Sequence, residues 1–347
     1  MLADQADHII GVDTHRDSHS AAILATDTAL VLGQTTVRAD ERGYQELLRY
    51  ARKHAPDRRV WAVEGTGSYG AGLTAFLHAK GESVVEVDRP KRPAQRNRGK
   101  SDQLDAIQAA REALTRKHPA APRMRGDREA LRVLLATREG AMRSKRAAIT
   151  TLKSLLISAP SQLREPLRGL STNELINRAA RLRTNPTHDN EQRATIIALR
   201  SSARRILTLR DEALELEREI QPIIQHLAPQ LLTEKGVGAI TAAQILNAYS
   251  HQGRIRSEAA FAALAGAAPL PASSGQTIRH RLNRGGDRQL NRALHTIVLC
   301  RMRDDPTTRA YTQRRKAQGR STREIKRCLK RYTARHLYRL LQTPQPA

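Results

Sequence analysis

The sequence predicts an α/β domain at the N-terminus, followed by an all-α coiled-coil region and a mostly α C-terminal domain. Short apolar runs separated by turn residues occupy the chain as far as Asp88, and long stretches rich in Leu, Ala, Arg and Glu follow from about residue 127. The chain has 347 residues, more than one hydrophobic core usually serves. We therefore expect three domains, at residues 1–125, 126–230 and 231–347.

The first domain begins with three strand-like runs, HIIGVDT, SAAILAT and LVLGQTTV, at the spacing of an antiparallel meander. A helix is predicted over Glu41–Lys53, then a buried strand RVWAVEG, a helix from about Ser68, and a strand ESVVEVD. A basic, proline-rich segment leads into a helix over Ser101–Thr115, which Ser101 caps. The predicted order is β-β-β-α-β-α-β-α, with the later strands added in parallel.

Charge indicates the class of partner. The chain holds 60 Lys and Arg against 34 Asp and Glu, a net charge of +26 that is spread along its whole length. Because Lys and Arg spread along a chain gain affinity for phosphates by releasing their condensed counterions, nucleic acid is the expected partner. A ribosome-associated or merely very soluble protein is the alternative on charge alone. Aromatic residues make up 3% of the chain, which argues against single-strand binding by base stacking.

Cysteine usage and hydropathy limit the cellular setting. Cys300 and Cys328 have no paired spacing, so neither a disulfide framework nor a Cys-type zinc site is expected. No apolar stretch approaches the ~20 residues that a membrane helix needs, and no signal core follows the N-terminus. We expect a cytoplasmic protein with no membrane contact.

The central region contains a regular apolar seam. Steps of three and four residues join the positions Leu199, Ser202, Ile206, Leu209, Ala213, Leu216, Ile220, Ile223 and Leu227. This heptad spacing predicts a coiled coil, and an ordinary helix in a bundle is the alternative. Pro222 lies within the seam, so we expect the helix to kink or restart there.

Four acidic residues form the strongest candidate site. Asp13 ends the first strand run and Glu64 ends the fourth, and neighbouring strands would place both carboxylates at one edge of the sheet. Asp102 and Asp105 lie three apart at the start of a helix and therefore share a face. Two divalent ions that cleave a phosphodiester require such a set of hard oxygen ligands. Each acid alone has an ordinary structural explanation; the set in this order predicts metal-dependent chemistry.

Two patterns close to these acids resemble binding motifs, but we do not assign them a ligand. His15 and His19 have a spacing that suits a transition metal on a helix, but Asp13 ends a strand, so we expect loop or supporting roles for both. The GTGSYG run after Glu64 is too irregular for a phosphate loop.

The C-terminal domain carries two candidate phosphate contacts. Gly236 and Gly238 lie between two apolar helix faces, which resembles a helix-hairpin-helix; a tight turn without a ligand is the alternative. Further on, a Ser-Ser-Gly loop with Ser273 and Ser274 is followed by basic residues at the start of a predicted helix. The candidate nucleic-acid-binding cations of this segment are Arg279, Arg281, Arg284 and Arg288.

A serine hydroxyl can attack phosphorus when cations stabilise the developing charge, although Ser-Ser-Gly is more often a flexible turn. The sequence supplies the cations and does not identify a proton acceptor. The final stretch TREIKRCLKRYTARHLYRLL predicts a basic amphipathic helix, packed by Ile325, Leu329 and Leu340 and facing phosphate or solvent.

Six motifs carry a family resemblance: IIGVDTHRD, VEGTGSYG, KSDQLDA, GVGAITAAQIL, FAALAGAAPLPASSG and RLNRGGDRQLNRAL. Over nearly the whole chain they resemble the insertion-sequence transposases of the one-ten family, the DEDD recombinases with a RuvC-like domain. The resemblance implies an RNase H-like (RuvC-like) fold for residues 1–125 and a transposase domain with a catalytic serine for residues 231–347.

The resemblance also implies a mechanism and partners. Asp13, Glu64, Asp102 and Asp105 would bind Mg²⁺ or Mn²⁺, and Ser274, directly before Gly275, would become attached to a DNA end, with Ser273 as the adjacent alternative. The partners implied are double-stranded DNA of the element ends and target, a structured bridge RNA, and further copies of the chain, as a dimer or tetramer in which two subunits complete one active site. A cytoplasmic, nucleoid-associated location follows.

Two rival functions remain at this point. A Holliday-junction resolvase or nuclease would use the same four acids with water as the nucleophile, and the serine loop would then be structural. A non-catalytic architectural or RNA-binding protein would need only the basic surface, and the ordered acids argue against it. A covalent protein–DNA adduct separates the first rival from a recombinase.

Overall fold

The computed structural model describes residues 2–87, 102–116, 120–122, 125–251, 253–271, 280–281, 283 and 285–342. The chain divides into two compact units, residues 1–125 with 250–256, and residues 126–249 with 257–347. The division of the sequence into three functional domains stays a prediction. Within the described residues, no helix is both long and apolar enough to cross a membrane.

The first unit is built on a five-stranded sheet, which confirms the predicted mixed α/β fold. Its strands are β1 (His8–Thr14), β2 (Ser18–Ala25), β3 (Val31–Arg38), β4 (Arg59–Glu64) and β5 (Ser83–Val87), in the spatial order β3-β2-β1-β4-β5. β1, β2 and β3 form the predicted antiparallel meander, and β4 and β5 add in parallel. β1 is therefore the central strand.

Three helices cover the two faces of this sheet: α1 (Glu41–His54), α2 (Ala71–Ala79) and α3 (Asp102–Thr115). Ile10 and Val12 of β1 pack with Leu47 of α1 and Leu73 of α2, whereas Ile9 packs on the opposite face against α3. Successive residues of a strand point to opposite faces, so a central strand covered on both sides is apolar throughout. This explains why HIIGVDT lacks polar alternation.

Gly11 allows α3 to lie directly on β1. A Cβ built at Gly11 would lie 2.0 Å from the carbonyl oxygen of Ala106 and 2.6 Å from the backbone nitrogen of Ala110. Real Cβ atoms do not approach backbone this closely, so any side chain at position 11 would force the helix away from the strand. The helix that begins at Asp102 is thus held at a fixed distance from the strand that contains Asp13.

The second unit is mostly helical, as the sequence predicts. It contains ten α-helices, one short 3₁₀ helix (Glu165–Leu167) and two short paired strands within its described residues. They are α4 (Asp127–Ser158), α5 (Ser161–Arg164), α6 (Thr172–Ala179), α7 (Asn190–Leu227), α8 (Pro229–Leu232), α9 (Ala239–Tyr249), α10 (Glu258–Leu264), β6 (Leu270–Pro271), β7 (His280–Arg281), α11 (Arg288–Asp304), α12 (Pro306–Ala317) and α13 (Thr322–Gln342).

α4 and α7 pack against each other in opposite directions. His226, near the end of α7, lies 2.9 Å from the Asp127 carboxylate at the start of α4. Near the other end of the pair, Leu152 of α4 shares a buried cluster with Leu199 and Ala203 of α7. The apolar seam of α7 therefore packs within its own chain. This packing does not support a coiled coil between subunits, which stays a prediction.

The details of the seam differ from the sequence prediction. The positions Leu199, Ile206, Ala213 and Ile220 are buried as expected. At two of the alternate positions, Ala203 and Ile224 are buried instead of the predicted Ser202 and Ile223, whereas Leu209, Leu216 and Leu227 are half-buried. Of the two predicted effects of Pro222, the restart is wrong, because α7 continues through Pro222 to Leu227, and the kink stays a prediction.

An ion-pair network joins α4 to α11. The Glu139 carboxylate accepts from Nη1 of Arg292 at 3.1 Å and from Nη2 of Arg146 at 3.1 Å. The hydrogen bond from Arg292, followed by the charges of both arginines, lowers the pKa of Glu139 from 4.5 to about 2, although partial burial acts in the opposite direction. Glu139 is only 16% exposed, so its charge depends on these partners.

We expect Glu139→Gln to lower the free energy of unfolding by about 1–2 kcal/mol at pH 7, a value reduced for the solvent exposure of both arginines. Since the folded-state pKa is depressed, the stabilisation is complete above pH 4.5 and is lost as the pH falls towards 2. Urea unfolding of the variant and the wild type should therefore converge at low pH. Glu219→Gln, exposed on α7, is the control; an equal loss in both variants would contradict the network.

Candidate active site

The ends of β1 and β4 bring two predicted site residues to one edge of the sheet. Val12 is paired with Val63 in parallel register, so Asp13 and Glu64 follow at neighbouring positions. The hydroxyl of Thr14 donates to the backbone carbonyl of Glu64 at 2.9 Å, which ties the two strand ends together. Asp13 is buried and Glu64 is half-buried. The predicted placement of these strands is confirmed.

The first turn of α3 brings a third carboxylate to the same place. Asp102 opens the helix and is exposed, and Asp105 follows three residues later. Nε2 of His15 lies 3.1 Å from a carboxylate oxygen of Asp13 and 3.4 Å from one of Asp102. Ligand-capable atoms of Asp13, His15 and Asp102 all lie within 4.8 Å of one another. Within the described residues, this is the group with the spacing of a metal site.

The electrostatics of Asp13 fit a cation between these residues. Burial is the main cause that raises the pKa of Asp13, and the charges of Asp105 and Asp102 raise it further. His15, through its charge and its hydrogen bond, acts in the opposite direction. A buried carboxylate whose pKa is raised by burial and by neighbouring acids is one that a bound divalent ion would stabilise in its charged form.

The four acids differ in how closely they converge. Asp13 and Asp102 belong to the cluster, and Asp105 is near enough to act on the charge of Asp13. Glu64 lies at the adjacent strand end and Asp105 one turn into α3; neither belongs to the three-residue group. The catalytic and metal-binding roles of all four stay predictions.

The positions of His15 and His19 differ from the predicted ones in different ways. His15 does lie in the turn after β1, but its ring nitrogen lies between two acids and can serve as a ligand. The signal was the i, i+2 spacing from Asp13, because alternate residues at a strand end point to the same side. The loop prediction for His19 is wrong: it lies buried in β2, where its ring stacks on Tyr44 at 5.6 Å.

In the second unit, the predicted glycine turn joins α8 to α9. Gly236 has φ +82°, and a Cβ there would lie 3.1 Å from both the Cβ of Cys300 and the carbonyl oxygen of Ile297 in α11. The amide of Gly238 donates to the hydroxyl of Thr241 at 3.0 Å. α8 has only four residues, so the helix-hairpin-helix and its phosphate contact stay predictions.

The predicted serine site falls mainly outside the described residues: Ser273, Ser274, Arg279 and Arg284 all do. Arg281 ends β7 and is exposed, and Arg288 is exposed in the first turn of α11. The carboxylate of Asp287 caps that helix by accepting from the amides of Gln289 and Leu290 at 2.8 and 2.9 Å. The basic start of α11 is thus a well-formed helix end.

Two family models match the chain. A DEDD transposase model of IS110, described as "Transposase", matches residues 10–159, and one described as "Transposase IS116/IS110/IS902 family" matches residues 228–313. The chain belongs to the IS110 family of transposases. The first match of this IS110-family transposase includes all four predicted acids, and the second includes Gly236, Gly238 and Ser274.

Two insertion-element proteins are similar to this transposase. The IS110 uncharacterized 43.6 kDa protein of Streptomyces coelicolor is 33% identical over 128 residues, which cover 36% of this chain and 32% of that protein. The IS900 uncharacterized 42 kDa protein of Mycobacterium paratuberculosis is 26% identical over 359 residues, 89% of each chain. The chain thus aligns with about a third of the first relative and with most of the second.

Proposed function

We propose that this IS110-family transposase cleaves and exchanges DNA strands by metal-dependent chemistry, through a covalent phosphoserine link and under the direction of a bridge RNA. The observation that carries the proposal is the cluster of Asp13, His15 and Asp102 at the end of the central strand. It lies inside the region that matches the DEDD transposase model. Transposition of an insertion element requires DNA strands to be cut and joined.

The residues of the cluster fit a divalent ion. Asp13 and Asp102 offer the hard oxygen ligands that Mg²⁺ and Mn²⁺ prefer, with Glu64 and Asp105 beside them. The imidazole of His15 is better suited to Mn²⁺ than to Mg²⁺, or to holding the carboxylates in place. When bound, divalent ions at such a site polarise the scissile phosphate and stabilise the charge that develops on its oxygens.

The chain's own residues prepare this site. Thr14 holds the ends of β1 and β4 together, and the close approach at Gly11 fixes α3, so the carboxylates of Asp13 and Asp102 are positioned before DNA arrives. His15 hydrogen-bonds Asp13 and compensates part of the repulsion among the acids. Such preorganisation reduces the reorganisation that the reaction would otherwise require.

Ser274 is the proposed nucleophile, on the family resemblance of its Ser-Gly motif. Its hydroxyl loses a proton as Oγ forms a bond to phosphorus, the bond from phosphorus to the leaving DNA oxygen breaks, and that oxygen takes up a proton, so the step is proton-neutral. A DNA hydroxyl later attacks the phosphoserine and releases the serine. The number of phosphodiester bonds is conserved, so strand joining needs no external energy source.

The proposed partners are double-stranded DNA of the element ends and target, the bridge RNA, and further copies of the chain in a dimer or tetramer. The net charge of +26 supports both nucleic-acid partners. Since the seam of α7 packs on α4 of the same chain, an oligomer would use another surface. A nucleoid-associated protein in the cytoplasm is the corresponding location.

Removal of divalent metal tests the proposal directly. We expect strand cleavage of labelled element-end DNA, with co-purified RNA present, to fall by at least about 10²-fold in excess EDTA, because metal ions stabilise several kcal/mol of transition-state charge. Added Mg²⁺ or Mn²⁺ should restore it, while DNA binding persists throughout. Undiminished cleavage in EDTA would contradict a metal-dependent mechanism.

A further inference from the structure

A basic cleft lies in the second unit, between α11, α12, α13 and the turn that follows α10. It has a volume of about 730 Å³ and is lined by six arginines and two lysines against a single carboxylate, Glu324. We call it the α11–α13 cleft. We propose that the α11–α13 cleft, which shares no residue with the acidic cluster, binds the phosphodiester backbone of duplex DNA, and that Arg323, Arg327, Lys330 and Arg331 are its phosphate ligands.

The spacing of these cations follows from the amphipathic character of α13. Arg323, Arg327 and Arg331 recur every four residues and therefore share one face of the helix, with Lys330 beside them. Ile325 and Leu329 point into the core and fix the rotation of α13. The eight-residue span from 323 to 331 covers ~12 Å of helix axis. Measured along the axis of the duplex, this length corresponds to between about three and four base-pair steps, at about 3.4 Å per step.

The side chain of Lys330 is held in a fixed position in the cleft by hydrogen bonds. It is half-buried, and its ammonium donates to Oδ1 of Asn291 at 2.9 Å. The amide of Asn291 donates in turn to the backbone carbonyl of Ala265 at 2.6 Å, which connects α13, α11 and the turn after α10. A lysine held by a neutral amide keeps its charge available to a ligand.

The cations of the cleft repel one another in the absence of an anion. Burial, and then the charge of Lys326, lowers the pKa of Lys330, and burial together with Lys330 and Lys326 lowers the pKa of His295. Glu324 pairs with one of these cations, Arg320, at 3.6 Å, and its Oε2 accepts from the amide and hydroxyl of Ser321 at 2.9 and 2.8 Å, so the other cations of the lining are left without compensation from it. Across the described residues, no ion pair joins Arg323, Arg327 or Arg331 to a carboxylate.

The size and chemistry of the cleft favour a polymer of phosphates. A single phosphate ion would engage a small part of the lining, whereas a DNA strand can meet cations along α13 in turn. The choice of DNA rests on the proposed function, in which the protein grips element-end DNA. The cleft would then hold DNA by contacts that carry no base sequence, as most phosphate contacts do.

The test measures the salt dependence of binding to a labelled DNA duplex, with the full chain in EDTA so that no cleavage occurs. Each phosphate contact contributes about 0.9 to the slope of log affinity against log salt. We expect Arg327→Ala/Arg331→Ala to lower the slope by about 1.8, and Lys330→Met by about 0.9. The control Arg309→Ala/Lys316→Ala removes two exposed cations of α12 outside the cleft, and should change the slope little.

Equal slopes for the cleft and control variants would overturn the proposal, because the effect would then reflect net charge alone. A decrease confined to a labelled RNA of the same length would overturn the assignment to DNA. Circular dichroism checks that each variant is folded. If the double variant unfolds, the single variant Arg327→Ala replaces it in the test, because Arg327 is exposed; its slope of log affinity against log salt should fall by about 0.9. The slopes are measured in EDTA and do not depend on cleavage. The proposed DNA-binding cleft and the proposed metal-dependent cleavage can therefore be refuted independently of each other.

Discussion

Replacement of Asp13 by asparagine is expected to lower the rate of strand cleavage by roughly 10³-fold, because a metal centre supplies several kcal/mol of transition-state stabilisation. Asparagine keeps the size of the side chain and one oxygen, but it removes the charge at the buried centre of the cluster. The measurement is single-turnover cleavage of labelled element-end DNA at saturating Mg²⁺. DNA affinity, measured separately, should change little, since the basic surface is untouched.

The matched control for this experiment is Asp17→Asn. Asp17 lies four residues further along the chain, its side chain is 77% exposed, and it pairs with Arg16 instead of the cluster. Its loss should leave cleavage near the wild-type rate, as is usual for exposed ion pairs. Near-wild-type cleavage by the Asp13→Asn variant would refute the assignment of this cluster as the catalytic centre.

Replacement of Ser274 by alanine is expected to abolish the covalent protein–DNA adduct and strand exchange, since no other group would take the place of the nucleophile. DNA cut by the wild type should carry protein through denaturing electrophoresis, and DNA treated with the Ser274→Ala variant should not. The neighbouring Ser273→Ala is the matched control, because it changes the same loop and also removes one hydroxyl. It should retain the adduct.

The double variant Ser273→Ala/Ser274→Ala decides between attack by serine and attack by water. Full recombination by this variant would eliminate the covalent step. Metal-dependent cutting without any adduct in the wild type would instead favour the resolvase-like reaction, in which the serine loop is structural. Loss of the adduct in Ser273→Ala alone would move the nucleophile by one residue.

The sheet and the placement of its acids could be predicted because they depend on local patterns. A continuous apolar run that ends in an acid indicates a central strand whose last residues emerge at the sheet edge, as Asp13 and Glu64 do. The start of α3 at Asp102 was equally visible from the sequence. The contribution of His15 was not predicted, because its spacing from His19 suits a metal site only on a helix, whereas His15 lies in the turn after β1 and approaches Asp13 and Asp102 instead.

Other features depend on distant partners and could not be read from one segment. The heptad spacing predicted a seam on α7, but the buried face depends on packing against both α4 and α6, and Ala203 is buried there instead of Ser202. For α13 the sequence predicted a helix that faces phosphate or solvent. The cleft itself forms only when α13 packs beside α11. The hydrogen bond between Lys330 and Asn291, which are far apart in the sequence, could therefore not be predicted.

The contact at Gly11 has a consequence for how copies of this element are judged in genomes. A single nucleotide change converts a glycine codon to an alanine codon, and the added methyl group would collide with the backbone of α3. Such a copy would retain every acidic residue of its DEDD signature and still hold Asp102 at the wrong distance from Asp13. Under the proposed mechanism, an inventory that counts only intact acidic residues would therefore score an inactive copy as mobile.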